Sequence, residues 1–302
     1  MFYKLRNECR KKWFDFNCQD ILSTPPLEPQ GKDVVILSEV SNTDLVMYLV
    51  AVKSFFHFLK RGQIVLLLDD DCPEANVKVL KEHLNPLDIR LVQQIKSEHC
   101  PVGGTWERLL AIADLVEDRY VIQIDSDTVT SGEIPEVIHA LNRNCSFTLS
   151  EWENQEIVAI DEACAAVAGN HNTHVQMLAE QNFSNLTGYP HYRYVRGQSS
   201  FCGFAKGAFS RERLEEFSSE MSQILGENKW REWGSESTAS NFMIANSAAA
   251  TMLPYPKYAS YYPSREEDFA ASVFVHFEGT NRLKKGLYIE KSKQVIDHLL
   301  CR

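Results

Sequence analysis

No apolar stretch in this 302-residue chain is long enough to cross a bilayer; the most hydrophobic helical candidate, LVMYLVAVKSFFHFL at 45–59, is too short and carries Lys53 and His57. The eight cysteines form no CxxC pair, which removes the usual paired-thiol metal and redox motifs. Cys145, Cys164 and Cys202 fall in apolar segments where a reduced thiol packs as a small hydrophobe. The first residues, MFYKLRNECRKKWFDF, scatter charge among apolar side chains and lack the continuous apolar core of a secretory signal, so a cytoplasmic location is expected. Positive charge is short too: 31 Lys and Arg against 41 Asp and Glu leave a net charge of -10, which argues against nucleic acid as a partner. The exception is local, because residues 276–302 hold six basic residues against three acids. Residues 1–16 are basic and amphipathic and permit a peripheral membrane contact, although a helix packed on the domain is the simpler expectation.

What is present is ordinary globular composition, 44% hydrophobic and 24% charged, with no repeat or low-complexity tract. Residues 1–30 read as a helical extension closed by the Pro-rich STPPLEPQG. A βα rhythm follows. Apolar, β-branched runs at 33–40, 63–70, 89–95 and 120–125 read as buried strands, separated by helical patterns at 44–60, 73–84 and 105–119. Strands alternating with helices predict an α/β fold with a mainly parallel sheet and helices on both faces, where ligands bind beyond the carboxyl ends of the strands. After Ser150 the rhythm loosens. GQSSFCGFAKGAF (197–209) is glycine-punctuated, as close packing on a ligand or another backbone requires. A helix SRERLEEFSSEMSQIL follows, Ser235 is placed to cap a helix through ESTASNFMIAN, and SVFVHFEGT (272–280) reads as a late strand.

The chemistry concentrates at IQIDSDTV (122–129). Side chains two apart on a strand share a face, so Asp125 and Asp127 lean together at a strand end and supply oxygens for a hard divalent cation. Asp69, Asp70 and Asp71 offer a second D-x-D, but they abut Pro73 and read as the acidic start of a helix, where the dipole favours negative charge.

Around that pair the chain resembles the nucleotide-sugar glycosyltransferases of the GT-A fold, most nearly glycosyltransferase family eight. The resemblance rests on Trp106, Arg108 and Leu109 of a preceding helix, then YVIQIDSDTVTSGEI, GQSSFCGFAKGAF, ESTASN (236–241) and HFEG (276–279), in the family's order. Within ESTASN, Glu236 and Asn241 keep comparable function, while Ser237 and Thr238 depart from the family's pattern; the family's late lysine becomes Arg282. The resemblance implies a single domain with a nucleotide-sugar-binding half at 31–150 and an acceptor-binding half at 151–302 that ends in a basic segment. It implies an enzyme moving a sugar from a nucleotide donor, with a uridine diphosphate sugar expected, to a glycan or other acceptor, and it favours retention of anomeric configuration. Asp125, Asp127 and His276 would hold Mn²⁺ or Mg²⁺, the nitrogen ligand favouring Mn²⁺. Ser38, Glu39, Asn42, Arg108, Ser126, Arg282, Lys284 and Lys285, with Asp125, would meet the donor. Glu236, Asn241 and Arg108 would act at the reacting sugar, with Trp230 and Trp233 near its pocket.

Two other readings share these residues. An apolar strand running into D-x-D-x-(T/V) also opens haloacid-dehalogenase-type phosphatases, in which Asp125 would be the nucleophile; here three strands precede it and no later G-D-x-x-x-D is seen. A sugar-nucleotide-binding module without catalysis is the third reading.

Overall fold

A computed structural model describes residues 2–301; Met1 and Arg302, the outer ends of the first and last expected segments, lie outside the described residues. An opening helix α1 (Phe2–Cys18) leads to β1 (Val34–Glu39), α2 (Leu45–Leu59), β2 (Gln63–Leu68), α3 (Glu74–His83), β3 (Leu87–Leu91), α4 (Trp106–Val116) and β4 (Tyr120–Ile124). β1, β2 and β4 are mostly apolar on both sides because both faces are covered, whereas the edge strand β3 alternates Asp88 and Arg90 with apolar residues. Val34 and Ile36 of β1 pack in one core with Phe14 of α1 and Leu49 of α2, whereas Val35 and Leu37 pack in the other with Leu109 and Ile112 of α4.

The chain continues through β5 (Thr128–Thr130), α5 (Pro135–Asn142) and β6 (Ser146–Leu149) into a small lobe of β7 (Val158–Ala159), α6 (Ile160–Ala166), α7 (Val175–Asn182) and β8 (Arg193–Tyr194). It returns with β9 (Phe201–Phe204), α8 (Arg211–Leu225), α9 (Glu227–Trp230), α10 (Ser235–Ala245), β10 (Ala250–Leu253) and β11 (Tyr258–Ser260). The last elements are α11 (Glu266–Phe269), β12 (Phe274–His276) and α12 (Leu287–Leu300).

The main sheet has the order β10-β6-β9-β4-β1-β2-β3. Only β9 runs against its neighbours β4 and β6, so the expected mainly parallel α/β fold is the one adopted. Chain order reverses at β1, which has β2 on one side and β4 on the other, and such a switch point leaves a crevice beyond the two carboxyl ends. Glu39 ends β1, and Asp125 follows β4.

Several elements differ from expectation for identifiable reasons. The strand read at 89–95 starts at Leu87 and stops at Leu91, where a 3₁₀ turn at Val92–Gln94 takes over. Asp69–Asp71 precede α3 rather than entering its first turn; Asp71 accepts from Asn42 Nδ2 at 2.6 Å and Asp69 from Gln93 Nε2 at 3.3 Å, so cross-loop hydrogen bonds occupy them. Ser235 is the first residue of α10, after Gly234 at φ +102°, and its hydroxyl accepts from Trp106 Nε1 at 2.9 Å instead of capping. The late strand shrinks to Phe274–His276 because only those residues pair with β5 and β11. The glycines of 197–209 do mark close packing: a Cβ at Gly203 would collide with Phe147 and Tyr120, and one at Gly197 with Thr148.

Candidate active site

The two carboxylates sit on a turn, not on the strand itself. β4 ends at Ile124, Asp125 N donates to Ser200 O at 2.9 Å, and the chain turns through Ser126 and Asp127 into β5. The carboxylates still converge because β5 pairs antiparallel with β12, placing Thr128 opposite His276, while Phe277 N donates to Asp127 O at 2.8 Å. That short pairing is what brings together groups about 150 residues apart. One ligand atom from each of Asp125, Asp127 and His276 lies within 4.8 Å of the others.

Two arginines divide the carboxylates' oxygens. Arg108 Nη1, from α4, donates to Asp125 Oδ1 at 2.6 Å, and Arg282 Nη1 donates to Asp127 Oδ2 at 3.2 Å. The remaining oxygens face one imidazole nitrogen: His276 Nε2 lies 3.3 Å from Asp127 Oδ1 and 4.0 Å from Asp125 Oδ2. On its other edge, His276 Nδ1 meets Ser260 Oγ at 3.2 Å, and that hydroxyl is itself directed to Gln198 Oε1 at 3.0 Å. With the hydroxyl proton given to Gln198, Nδ1 is the imidazole donor, so the lone pair of the neutral ring sits on Nε2. Two ligands about 2.1 Å from one octahedral ion lie about 3 Å apart when adjacent and about 4 Å apart when opposite, so the spacing and the O, O, N donor set fit a divalent cation.

Burial dominates the titration of this cluster. It pushes Asp125 up, with Arg108 and His276 pulling the other way. Burial also raises Asp127, but His276 and Arg282 outweigh it and hold that carboxyl below its usual value. His276 is lowered by burial and raised more strongly by Asp127 and Asp125, ending above an ordinary histidine. The metal-free triad therefore behaves as an imidazolium between two carboxylates.

Arg108 is 5% exposed and also faces Glu236, whose Oε2 lies 3.6 Å from Nη2. Glu236 Oε2 accepts from Thr105 and Ser199 hydroxyls, each at 3.1 Å, while its Oε1 is buried without a partner among the described residues. Burial raises its pKa, opposed chiefly by Arg108. Asp125 and Arg108 form a wall shared by two cavities. One, of about 280 Å³, is bordered by Glu39, Ser126 and Asp127; the other, of about 210 Å³, by Glu236, His276, Ser199, Trp233 and Glu151. Glu39 Oε2 is likewise buried without a partner, and burial pushes the Glu39 carboxyl to about 7.

Not every expected contact faces these cavities. Ser38 is wholly buried and gives its hydroxyl to Ile124 O at 2.8 Å, bracing β1 against β4. Asn42 is held by Asp71 outside the lining of the Glu39 crevice. Asn241 lies beneath the second cavity, donating to Gly197 O at 3.0 Å, so it supports the lining instead of reaching a ligand. Lys284 turns to Asn281 at 2.8 Å and Lys285 to Glu266 at 3.1 Å, leaving Arg282 as the residue of that basic run that touches the cluster. Trp230 is core, 1% exposed with its indole N–H on Ser218, whereas Trp233 is 77% exposed at the cleft. Thr105, Ser199, Ser260 and Gln198 were not singled out beforehand. Ser199 lay inside the glycine-punctuated stretch, and Thr105 follows Gly103-Gly104 and takes φ +69°; Ser260 carried no signal.

No known family profile and no curated protein sequence matches the chain. Solved structures that superpose on it are glycosyltransferases. They include the bifunctional glycosyltransferase WbbM (12% identity, TM-score 0.49, 90% of this chain and 51% of that one). The galactosyltransferase LgtC, solved with donor and acceptor sugar analogues, gives 10% identity and TM-score 0.49 over 87% of this chain and 95% of that one. Mouse xyloside xylosyltransferase 1 gives 13% identity and TM-score 0.46 over 82% and 99%. The chain thus spans about half the length of WbbM. At these identities the functional argument rests on the site's own geometry.

Proposed function

We propose that this chain is a divalent-metal-dependent glycosyltransferase that moves a sugar from a nucleoside diphosphate donor, with a uridine diphosphate sugar the first candidate, to a carbohydrate or other hydroxyl acceptor. The observation that carries the reading is the Asp125, Asp127 and His276 cluster at the sheet's switch point, on the wall between two cavities. Asp125 Oδ2, Asp127 Oδ1 and His276 Nε2 would hold the ion, Mn²⁺ being favoured by the mixed donor set. Bound there, the ion would supply charge stabilisation to the departing diphosphate without proton transfer.

The chain's own groups do the rest. Arg108 and Arg282 fix the rotation of the two carboxylates and bring positive charge to the diphosphate side. The larger crevice by Glu39 and Ser126, beyond β1 and β4, suits the nucleotide. Across the wall, Glu236 is held by Thr105 and Ser199 with one oxygen unused, as needed to orient an acceptor hydroxyl, take its proton, or stabilise positive charge developing on the sugar. Arg108, between Asp125 and Glu236, ties donor and acceptor sides together.

The test is a panel of nucleotide sugars with and without Mn²⁺, scored for released nucleoside diphosphate. Metal-dependent release that D125N and D127N abolish supports the assignment. Turnover of simple phosphate esters with a phosphorylated Asp125 would replace it with the phosphatase, and sugar-nucleotide binding without turnover with any acceptor would replace it with a binding module.

A further inference from the structure

The face formed by α1 and α12 borders the candidate metal cluster at Arg282, and its composition is unlike the rest of the molecule. Trp13 and Phe16 are 59% and 64% exposed, and their rings stack at 6.0 Å between centroids. They are exposed although α1 is anchored from its other side by Phe14 and Cys18, both wholly buried. Leu22, just after α1, and Leu300 of α12 add two more exposed large hydrophobics, so four of the seven in the described molecule lie on these elements. The α1 segment carries five basic residues against two acids in a protein whose net charge is -10. Arg6 and Lys12 are exposed on α1 and Lys293 on α12; Glu8 and Asp15 flank Lys12, and Glu290 and Asp297 flank Lys293, so the surplus of positive charge belongs to α1.

Between the helices runs a groove of about 390 Å³ lined by Arg10, Trp13, Ile289 and Arg282, with Tyr288 at its base. Tyr288 is 2% exposed, and its hydroxyl has no hydrogen-bond partner among the described residues. Arg282 lines this groove while donating to Asp127 at 3.2 Å, so the groove adjoins the candidate metal cluster.

From this juxtaposition we propose that the α1–α12 face docks on an anionic lipid surface, Trp13 and Phe16 entering the interface while Arg6, Lys12 and Lys293 meet the headgroups. Tryptophan and basic side chains together favour the headgroup boundary, and basic residues near an anionic leaflet add electrostatic attraction. The groove has room for a whole lipid headgroup, with Arg10 and Lys285 on its wall beside Glu290 and the Tyr288 hydroxyl beneath as donor. The positive sector matches such a surface and would be repelled by a basic one. This inference does not depend on the proposed transferase activity.

Co-sedimentation with vesicles tests it. Full-length protein is mixed at low salt with phosphatidylcholine vesicles or with vesicles containing about 30% phosphatidylserine, near the anionic content of a cytoplasmic leaflet. At least tenfold greater pelleting with the anionic vesicles is expected, falling to background in Trp13→Ala/Phe16→Ala and in Arg6→Glu/Lys12→Glu, and weakened by 0.5 M salt. These positions are exposed, so circular dichroism should match the parent protein. Equal pelleting with both lipids, no pelleting, or unchanged pelleting of the variants would overturn the proposal. So would conversion of a dimer to a monomer by the aromatic double variant, which would make the face a self-association surface.

Discussion

Metal affinity should depend on pH with the slope of one proton, and His276 sets it. In the metal-free protein Asp127 and Asp125 raise His276 above the ordinary histidine value despite its burial, so near pH 6.5 the ring is largely imidazolium. A cation needs the Nε2 lone pair and must displace that proton. Affinity should therefore rise about tenfold per pH unit, or about 1.4 kcal/mol, until pH exceeds the raised His276 value, then level off. At lower pH the slope should steepen as Asp125, pushed up by burial, also protonates. In the absence of metal the sign reverses for stability: the imidazolium's contribution is complete below about pH 6.5 and is lost as pH rises through the raised folded value. The assay is Mn²⁺ titration by calorimetry in two buffers of different ionisation enthalpy, at pH 6 and pH 8. More protons should be released at pH 6 than at pH 8, and His276→Asn should bind weakly with a flatter profile. Binding that is pH-independent from 5.5 to 7.5, or a histidine variant with the parent slope, would refute the reasoning.

Arg108→Gln should cut donor turnover at least a hundredfold and destabilise the fold by roughly 3 kcal/mol, because Asp125 and buried Glu236 lose their shared cation; steady-state kinetics and urea melts measure the two effects. Glu236→Gln should keep metal affinity within twofold while lowering transfer to acceptor, measured as product sugar against nucleotide released. Lys53→Met should cost roughly 3 kcal/mol by urea denaturation, since the buried ammonium bonds Thr24, Pro25 and His83, fastening the Pro-rich connector to α2. Glu39→Gln should raise thermal stability above pH 7, by up to about 3 kcal/mol, because a carboxyl held at about 7 is costly to ionise in the fold; the gain should shrink as pH falls through 7 and vanish below about pH 3.5, where both states are protonated.

The first half of the fold was legible because β1, β2 and β4 are mostly apolar on both faces and helices separate them, signals that lie within a few residues of one another. The later part was less so: β7, β8 and β11 are two or three residues long, and their pairing partners are distant in sequence. Asp125, Asp127 and His276 were visible only as separate motifs, since what joins them is the register of β5 on β12. Asn241 misled because an amide one helical turn and more beyond Glu236 looks equally available, yet α10 is buried almost throughout and directs it into the scaffold. Lys284 and Lys285 misled because adjacent charges read alike, whereas the turn after β12 sends only Arg282 inward. Ser260 shows the limit: a lone serine that orients an imidazole has no local pattern to betray it.

The division of carboxylate oxygens by two arginines bears on ion discrimination. Calcium ions favour seven or eight oxygens and commonly take both atoms of a carboxylate, whereas magnesium and manganese are satisfied by six ligands with one atom from each acid. With Asp125 Oδ1 held by Arg108 and Asp127 Oδ2 by Arg282, neither aspartate can chelate through both atoms without breaking an ion pair. In the proposed metal site the guanidinium groups would thus act as a filter on denticity, set against calcium before any substrate arrives.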